Sequence, residues 1–457
     1  MKKRTMKAVA LLLSAAMSVA LLVGCGSNNG GSTGESGGTT SSGKQVINLW
    51  TYTDEVPNMV ERYLELNPEF AEKYEVNITL IATSEGAYQP ALDQALLSGG
   101  ADAPDIYAAE AAFALKYTQG DMAEFAMPYS ELGIDVDAKI AEAEIAPYTV
   151  EIGSRDGEVV GLGFQATGGA MIYRRSLAQD VWGTDDPDEV AAKVGPGWDQ
   201  FMNAASEMNE KGYAMVSGGG DIWQAIRNTG EKSWILDDKL VIDPVRENYM
   251  DILKEIYDNG YFNDTTSWQE AWFADMSGNG AREVFSFFGP AWLINYVMSD
   301  NAGDTAGDWG VAVPPVGFFW GGTWLLANNN GNPDVKEGVA ELIEWITLDT
   351  SDEGLQYLWA NGTLLGEDGT KDAVGSANVM GRSNGELDFL AGQNMFDIFI
   401  EAGEYANGRV LTQYDETIQQ WFSDQAMEYA MGAKTKEEAI ASFKQQVMDN
   451  LGIEAAE

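Results

Sequence analysis

The sequence predicts an α/β protein built as two domains, on three observations. At 457 residues the chain exceeds one ordinary core, because domains usually run to ~100–200 residues. Hydrophobic residues make up 45% and aromatics 11%, enough apolar surface to fill large cores and to exclude a mainly disordered chain. From Val46 onward, strand-like and helix-like segments alternate, which is the pattern of a parallel α/β sheet.

Val46-Ile-Asn-Leu-Trp50 reads as the first strand, residues 54–74 as an acidic amphipathic helix and Asn77-Ile-Thr-Leu-Ile81 as the second strand. A helix over 88–97 is stopped by Ser98-Gly-Gly100, and Asp105-Ile-Tyr107 gives the third strand. In open α/β sheets ligands sit beyond the carboxyl ends of strands. That places Tyr52, Asp54 and Glu55 after the first strand, Glu85 after the second and Glu110 after the third as candidate contacts. Asp54 and Glu55 also have an ordinary explanation, since carboxylates favour a helix start.

Further along, Val159-Val-Gly-Leu-Gly-Phe164 and Met171-Ile-Tyr173 read as strands. Gly161-Leu-Gly163-Phe-Gln-Ala166 superficially matches a dinucleotide fingerprint, but diglycine and a strand follow where a helix is required. Helices are expected over 198–211, 244–259, 334–347 and a Trp-rich stretch over 268–298. Thr435-Lys-Glu-Glu438 has the form of a capping box for a last helix with Ile440, Phe443, Val447 and Leu451 on its apolar face.

The net charge of −44 repels phosphate backbones and anionic headgroups, which argues against nucleic acid. Histidine is absent, removing histidine triads, histidine zinc sites and histidine general bases. Cysteine occurs once, at Cys25, so no intrachain disulfide or thiolate metal cluster forms. No cofactor or metal is expected.

Lys2, Lys3, Arg4 and Lys7 precede an apolar run over 8–23, the layout of a secretory signal and short for a spanning helix. Leu22-Val-Gly-Cys25 then resembles the lipobox of bacterial lipoproteins, in which the cysteine is lipidated. Residues 26–44 are nearly all Gly, Ser, Thr and Asn and read as a flexible tether. The expected order is a signal peptide over 1–24, a lipidated Cys25 with its tether to residue 44, and a body held at the outer face of the cell membrane.

Only Trp50 of the 14 tryptophans precedes residue 180, whereas Trp223, Trp268, Trp272, Trp292 and Trp320 fall close together. Indole faces cover the apolar C–H patches of sugars while carboxylates and amides pair their hydroxyls. Acidic residues with tryptophans therefore suit a neutral polyol. For any one tryptophan, core packing is the commoner explanation. It is weaker at Trp320-Gly-Gly-Thr-Trp324, where diglycine lets a ligand approach the backbone.

From Val46 to about Leu451 the chain resembles the maltose-binding-like solute-binding proteins of bacterial carbohydrate ABC importers. The resemblance is carried in order by Ile47-Asn-Leu-Trp50, Tyr88-Gln-Pro-Ala-Leu92, Ala103-Pro-Asp-Ile-Tyr107, Met171-Ile-Tyr173, Gly197-Trp-Asp-Gln-Phe201, Phe288-Gly-Pro-Ala-Trp292, Trp320-Gly-Gly-Thr-Trp324 and Gly392-Gln-Asn394. It implies a two-lobed type II periplasmic-binding-protein fold with a hinge and an interlobe cleft, and a sugar stacked on Trp292. Glu110, Asp54 and Glu55 are implied hydroxyl contacts, and Tyr88, Trp320 and Gln393 join them.

The chain is expected to cross between lobes near 164–169, 314–319 and 369–385. Lobe one then comprises 45–165 plus about 318–375, and lobe two 166–317 plus about 376–457. The implied function is non-catalytic: a monomer closes on an oligosaccharide and delivers it to the permease subunits of an ABC importer. Two other functions stay open, a surface glycosidase using a carboxylate pair and a binder of peptide or metal on the same scaffold.

Overall fold

The computed structural model describes residues 43–83, 86–366 and 369–456. The expected signal peptide, the tether up to residue 42, Cys25 and Glu85 lie outside the described residues.

The first sheet has five strands. Gln45–Thr51 pairs in parallel with Tyr74–Leu80 on one side and Ile106–Glu110 on the other. Thr323–Ala327 then runs antiparallel to Ile106–Glu110 and carries Gly161–Gly163 on its far edge. The crossover helix Glu55–Leu66 buries Val56, Met59, Val60 and Tyr63, a helical stripe against this sheet. The helix expected over 54–74 is broken at Pro68, which lacks an N–H and holds Asn67 out of helical geometry. A short helix Pro68–Lys73 follows, and the second strand starts at Tyr74 instead of Asn77.

The second sheet has four strands. Ala170–Arg174 runs antiparallel to both Val284–Gly289 and Trp309–Ala312, and Val284–Gly289 is parallel to Ala214–Val216. The expected helical stretch over 268–298 is thereby corrected: it holds a helix Glu270–Met276, the strand Val284–Gly289 and a π-helical turn Leu293–Met298. Every residue of that strand is buried. A strand covered on both faces shows no alternation, so periodicity could not separate it from buried helix.

Helices Trp198–Glu210, Pro244–Asn259, Lys336–Thr347 and Lys436–Leu451 form where expected. The capping box closes, with Glu438 N donating to Thr435 Oγ1 at 3.2 Å and Thr435 N donating to Glu438 Oε2 at 2.9 Å.

Between the sheets, Gly168 pairs with Phe319 and Gln165 with Val374, so three chain segments run side by side. A β-carbon at Gly168 would lie 2.7 Å from the backbone nitrogen of Gly403, which explains the glycine at this close approach. No described helix is long and apolar enough to cross a membrane.

Candidate functional site

The carboxyl ends of the strands determine what reaches the space between the sheets. After Val284–Gly289, Pro290 and Ala291 turn the chain and present a half-buried Trp292. Its indole Nε1 donates to the carbonyl of Trp320 at 3.0 Å, and Trp320 N donates to Thr167 O at 3.0 Å. Gly321 and Gly322 adopt φ of +73° and +113°, and a β-carbon on Gly322 would lie 3.2 Å from Thr167 Oγ1. The diglycine is thus required by the left-handed backbone that follows Trp320 and, at Gly322, by the close side chains of Thr167 and Trp324. Trp324, on its other side, is a core residue whose indole donates to Thr149 O.

Trp268 completes the cluster. Its ring lies nearly parallel to Trp292, at 10° with centroids 6.3 Å apart, and Trp320 stands across both at 72° and 67°. Half of Trp268 is open, at 50% exposure, and its φ of +67° is a left-handed conformation that bulky residues avoid. A buried polar network anchors the loop that carries it. Ser217 Oγ donates to Asp275 Oδ2 at 2.6 Å and Asn263 Nδ2 to Asp275 Oδ1 at 2.7 Å, while Thr265 Oγ1 sits 2.5 Å from Ser217 Oγ. Behind Trp268, the fully buried Trp272 donates its indole N–H to Asp221 Oδ1 at 3.1 Å. Burial raises the Asp221 carboxyl to about 7 and pushes Asp275 in the same direction.

The first sheet supplies the polar side. Glu110 ends the strand Ile106–Glu110 and caps the helix Ala111–Thr118, accepting from Ala112 N at 2.7 Å. Gly321 brings it to Trp292, since a β-carbon there would lie 3.5 Å from Trp292 Nε1 and 3.6 Å from Glu110 Oε1. Burial raises its carboxyl to about 7, with Glu416 acting in the same direction and Arg227 against it. Arg227 is itself paired with Glu416 at 3.1 Å. A crevice of about 30 Å³, room for a water or two, lies between Ala111, Gly321, Arg227 and Asn228, and Asn228 Nδ2 donates to Phe319 O at 3.3 Å. Tyr52 is half-buried, its hydroxyl 2.5 Å from Thr323 Oγ1, with Glu110 close enough to raise it further above the usual phenol range.

Of the expected contacts, Trp268, Trp292 and Trp320 therefore touch one another, with Glu110 beside Trp292 at Gly321 and Tyr52 near Glu110. Asp54 and Glu55 line a neighbouring cavity of about 330 Å³ with Met59, Tyr296, Trp359 and Leu364. Tyr296 sits in the π-helical turn that follows Trp292.

Four expectations are corrected. Tyr88 is wholly buried and donates to Ala108 O at 2.7 Å, so it supports Tyr52 from beneath. Trp223 packs on Tyr249 and Phe422 among helices. Trp272 is buried behind Trp268 instead of facing a ligand. The Gln393 carboxamide is committed to the backbone of Val311, accepting at 2.9 Å and donating at 2.8 Å, and also accepts from Arg175.

Residues not foreseen include Asp221, Asp275, Arg227, Asn228 and Tyr296. A readable signal existed for Asp221, because Ser217-Gly-Gly-Gly-Asp221 directly follows a strand. A separate hollow of about 660 Å³ is lined by Tyr63, Lys336, Glu341 and Trp345 and holds none of these residues.

The sequence profile of the bacterial extracellular solute-binding proteins matches residues 65–366. The chain belongs to that family. No curated protein sequence matches it. Among solved structures this solute-binding protein is similar to an extracellular solute-binding protein of family 1, with a TM-score of 0.71 at 19% identity over 88% of this chain and 99% of that one. The galacto-N-biose/lacto-N-biose I-binding protein of a Bifidobacterium longum ABC transporter gives 0.66 at 14% identity over 91% and 99%. The sugar-binding protein MalE of Xanthomonas citri gives 0.65 at 15% identity over 89% and 98%. These likenesses show the fold, a two-lobed α/β binding protein with one sheet in each lobe.

Proposed function

We propose that this protein binds a carbohydrate of oligosaccharide length between its lobes and delivers it to an ABC permease. The observation that carries this reading is the cluster of Trp268, Trp292 and Trp320 beside Glu110 and Tyr52. Indole faces bury the C–H patches of pyranose rings, and the carboxylate and phenol pair hydroxyls that would otherwise lose hydration without compensation. Tryptophans from the second lobe, Trp320 from a connecting segment and polar groups from the first lobe give a ligand differential affinity for the closed form. The segments paired at Gly168–Phe319 and Gln165–Val374 act as the hinge. Two of the structurally similar proteins are described as binders of lacto-N-biose I and of sugar, in agreement with this reading.

Lipidation of Cys25 anchors the body outside the membrane, and the Gly/Ser tether raises its effective concentration at the permease. The site binds without cleaving.

A thermal-shift panel of neutral oligosaccharides tests this reading. A rise in Tm with at least one glycan, accompanied by a change in tryptophan emission, is expected from linkage of binding to the native state. A response to peptides or amino acids with none to glycans would overturn it.

A further inference from the structure

The crevice of about 30 Å³ beside Gly321 is lined by a buried donor and a buried acceptor that have no partner among the described residues. Ala111 and Ala112, which open the helix after the first sheet's strand, line it on one side. Arg227, Asp415 and Gln419 line it from helices whose apolar residues Ile226 and Ile418 belong to the core around the second sheet. Asp415 is only 7% exposed. Its Oδ1 accepts from Thr412 N at 2.9 Å and Thr412 Oγ1 at 2.5 Å, whereas Oδ2 has no hydrogen-bond partner. Arg227 gives Nη1 to Glu416 Oε2 at 3.1 Å, whereas its buried Nε has no partner.

The other polar groups nearby are already committed. Gln419 Nε2 donates to Asn228 Oδ1 at 3.1 Å and to Arg227 O at 3.2 Å. Arg246, whose charge Asp415 also feels, does not line the crevice and gives Nε and Nη1 to the carbonyls of Arg227 and Lys232 at 3.1 and 2.9 Å, though its Nη2 is unpartnered as well. A buried donor and a buried acceptor left unmade are each costly. A hydroxyl is both donor and acceptor, so one such group relieves both, as a bridging water does. The volume is about that of one water and far below the ~300 Å³ of a small-ligand pocket, which admits a hydroxyl and excludes a sugar ring. Gly321 joins this place to the aromatic cluster: it lines the crevice, and a β-carbon on it would lie 3.5 Å from Trp292 Nε1 and 3.6 Å from Glu110 Oε1.

We propose that this crevice is the closed end of the carbohydrate site, where one hydroxyl of the terminal sugar donates to Asp415 Oδ2 and accepts from Arg227 Nε in place of a water. The inference rests on the carbohydrate reading and adds a terminus to it. The saccharide is held by one end, since no further ring fits beyond Gly321, and extends from there across Trp292 towards the half-open Trp268. The same hydroxyl sits between the helix after the first sheet and the core around the second, so it favours the form in which the two are together.

The test is titration calorimetry on the folded, unlipidated chain with di- to tetrasaccharides of the α-gluco, β-gluco, β-galacto and β-manno series, followed by the terminal monodeoxy analogues of each one that binds. Removal of one hydroxyl, at one end only, is expected to weaken binding to the parent at least tenfold. That cost is expected to fall below threefold in Asp415→Asn, which keeps an oxygen for Thr412 and replaces the other by a donor, and in Arg227→Lys, which keeps the charge facing Glu416 and lacks Nε. Each variant is read with circular dichroism matching the parent, and either one suffices. A cost below tenfold for every deoxy position overturns the subsite and leaves the carbohydrate reading standing, and the crevice is then a structural water site only. A cost that stays above threefold in a folded variant overturns it equally. Silence towards all four series overturns both readings.

Discussion

Trp268 and Trp292 lie with their indole planes 10° apart and centroids 6.3 Å apart, although they come from different segments and only Trp292 follows a strand directly. Trp292 is held by one hydrogen bond to Trp320 O, whereas Trp268 is held in left-handed backbone geometry. One ring is placed by a strand end and the other by strain, which separates their contributions to stability.

Replacing Trp268 by Gly removes the ring and the left-handed penalty together. Affinity for the cognate oligosaccharide is expected to fall at least tenfold, about 1.4 kcal/mol, while Tm stays level or rises. Calorimetry and differential scanning on the same preparation check both parts; a Tm loss of many degrees would show the ring to be structural.

Asp275→Ala removes the acceptor shared by Ser217 Oγ and Asn263 Nδ2, which keep Thr265 Oγ1 and Arg282 O as partners. A loss of about 1–2 kcal/mol in urea unfolding is expected for the two hydrogen bonds removed. Unchanged stability would mean that the network does not anchor the Trp268 loop.

Gln393→Ala is expected to cost about 1–2 kcal/mol of stability by unpairing Val311 N and O. Its saccharide affinity should stay within twofold of the parent. A large loss of affinity without loss of stability would restore Gln393 as a ligand contact.

Stability should fall from acid to alkaline pH. Glu55, Glu110 and Asp221 stand at about 7 and Asp372 at about 8, all above ordinary carboxylate values. The folded protein therefore holds protons that the unfolded chain releases. That stabilisation is fully present below about pH 4 and is lost as pH rises through 7 to 8. Tm is expected to be several degrees higher at pH 5 than at pH 8.5, with a smaller difference in Asp372→Asn. An Asp372→Asn profile matching the parent would remove that carboxyl from the account.

The sequence makes the three parallel strands of the first sheet legible because helices separate them, so Tyr52 and Glu110 follow from strand ends alone; it does not reveal Thr323–Ala327, which joins that sheet antiparallel from far along the chain. It hides the strand Val284–Gly289, whose uniform burial leaves no period to read. Trp268 is legible as an aromatic but not as a left-handed one, since its geometry depends on Asp275 hydrogen bonds to residues 217 and 263. Tyr88, Trp223 and Gln393 carry suitable chemistry for a sugar site, and only tertiary packing shows that their polar or aromatic faces are already occupied.

The proposed function places a saccharide against the indoles between the lobes. The decisive experiment titrates oligosaccharides into the parent protein and Trp292→Ala while following intrinsic tryptophan emission. A saturable change in the parent, with affinity reduced at least tenfold in Trp292→Ala at unchanged circular dichroism, is the predicted result. Equal affinity in both proteins would contradict it.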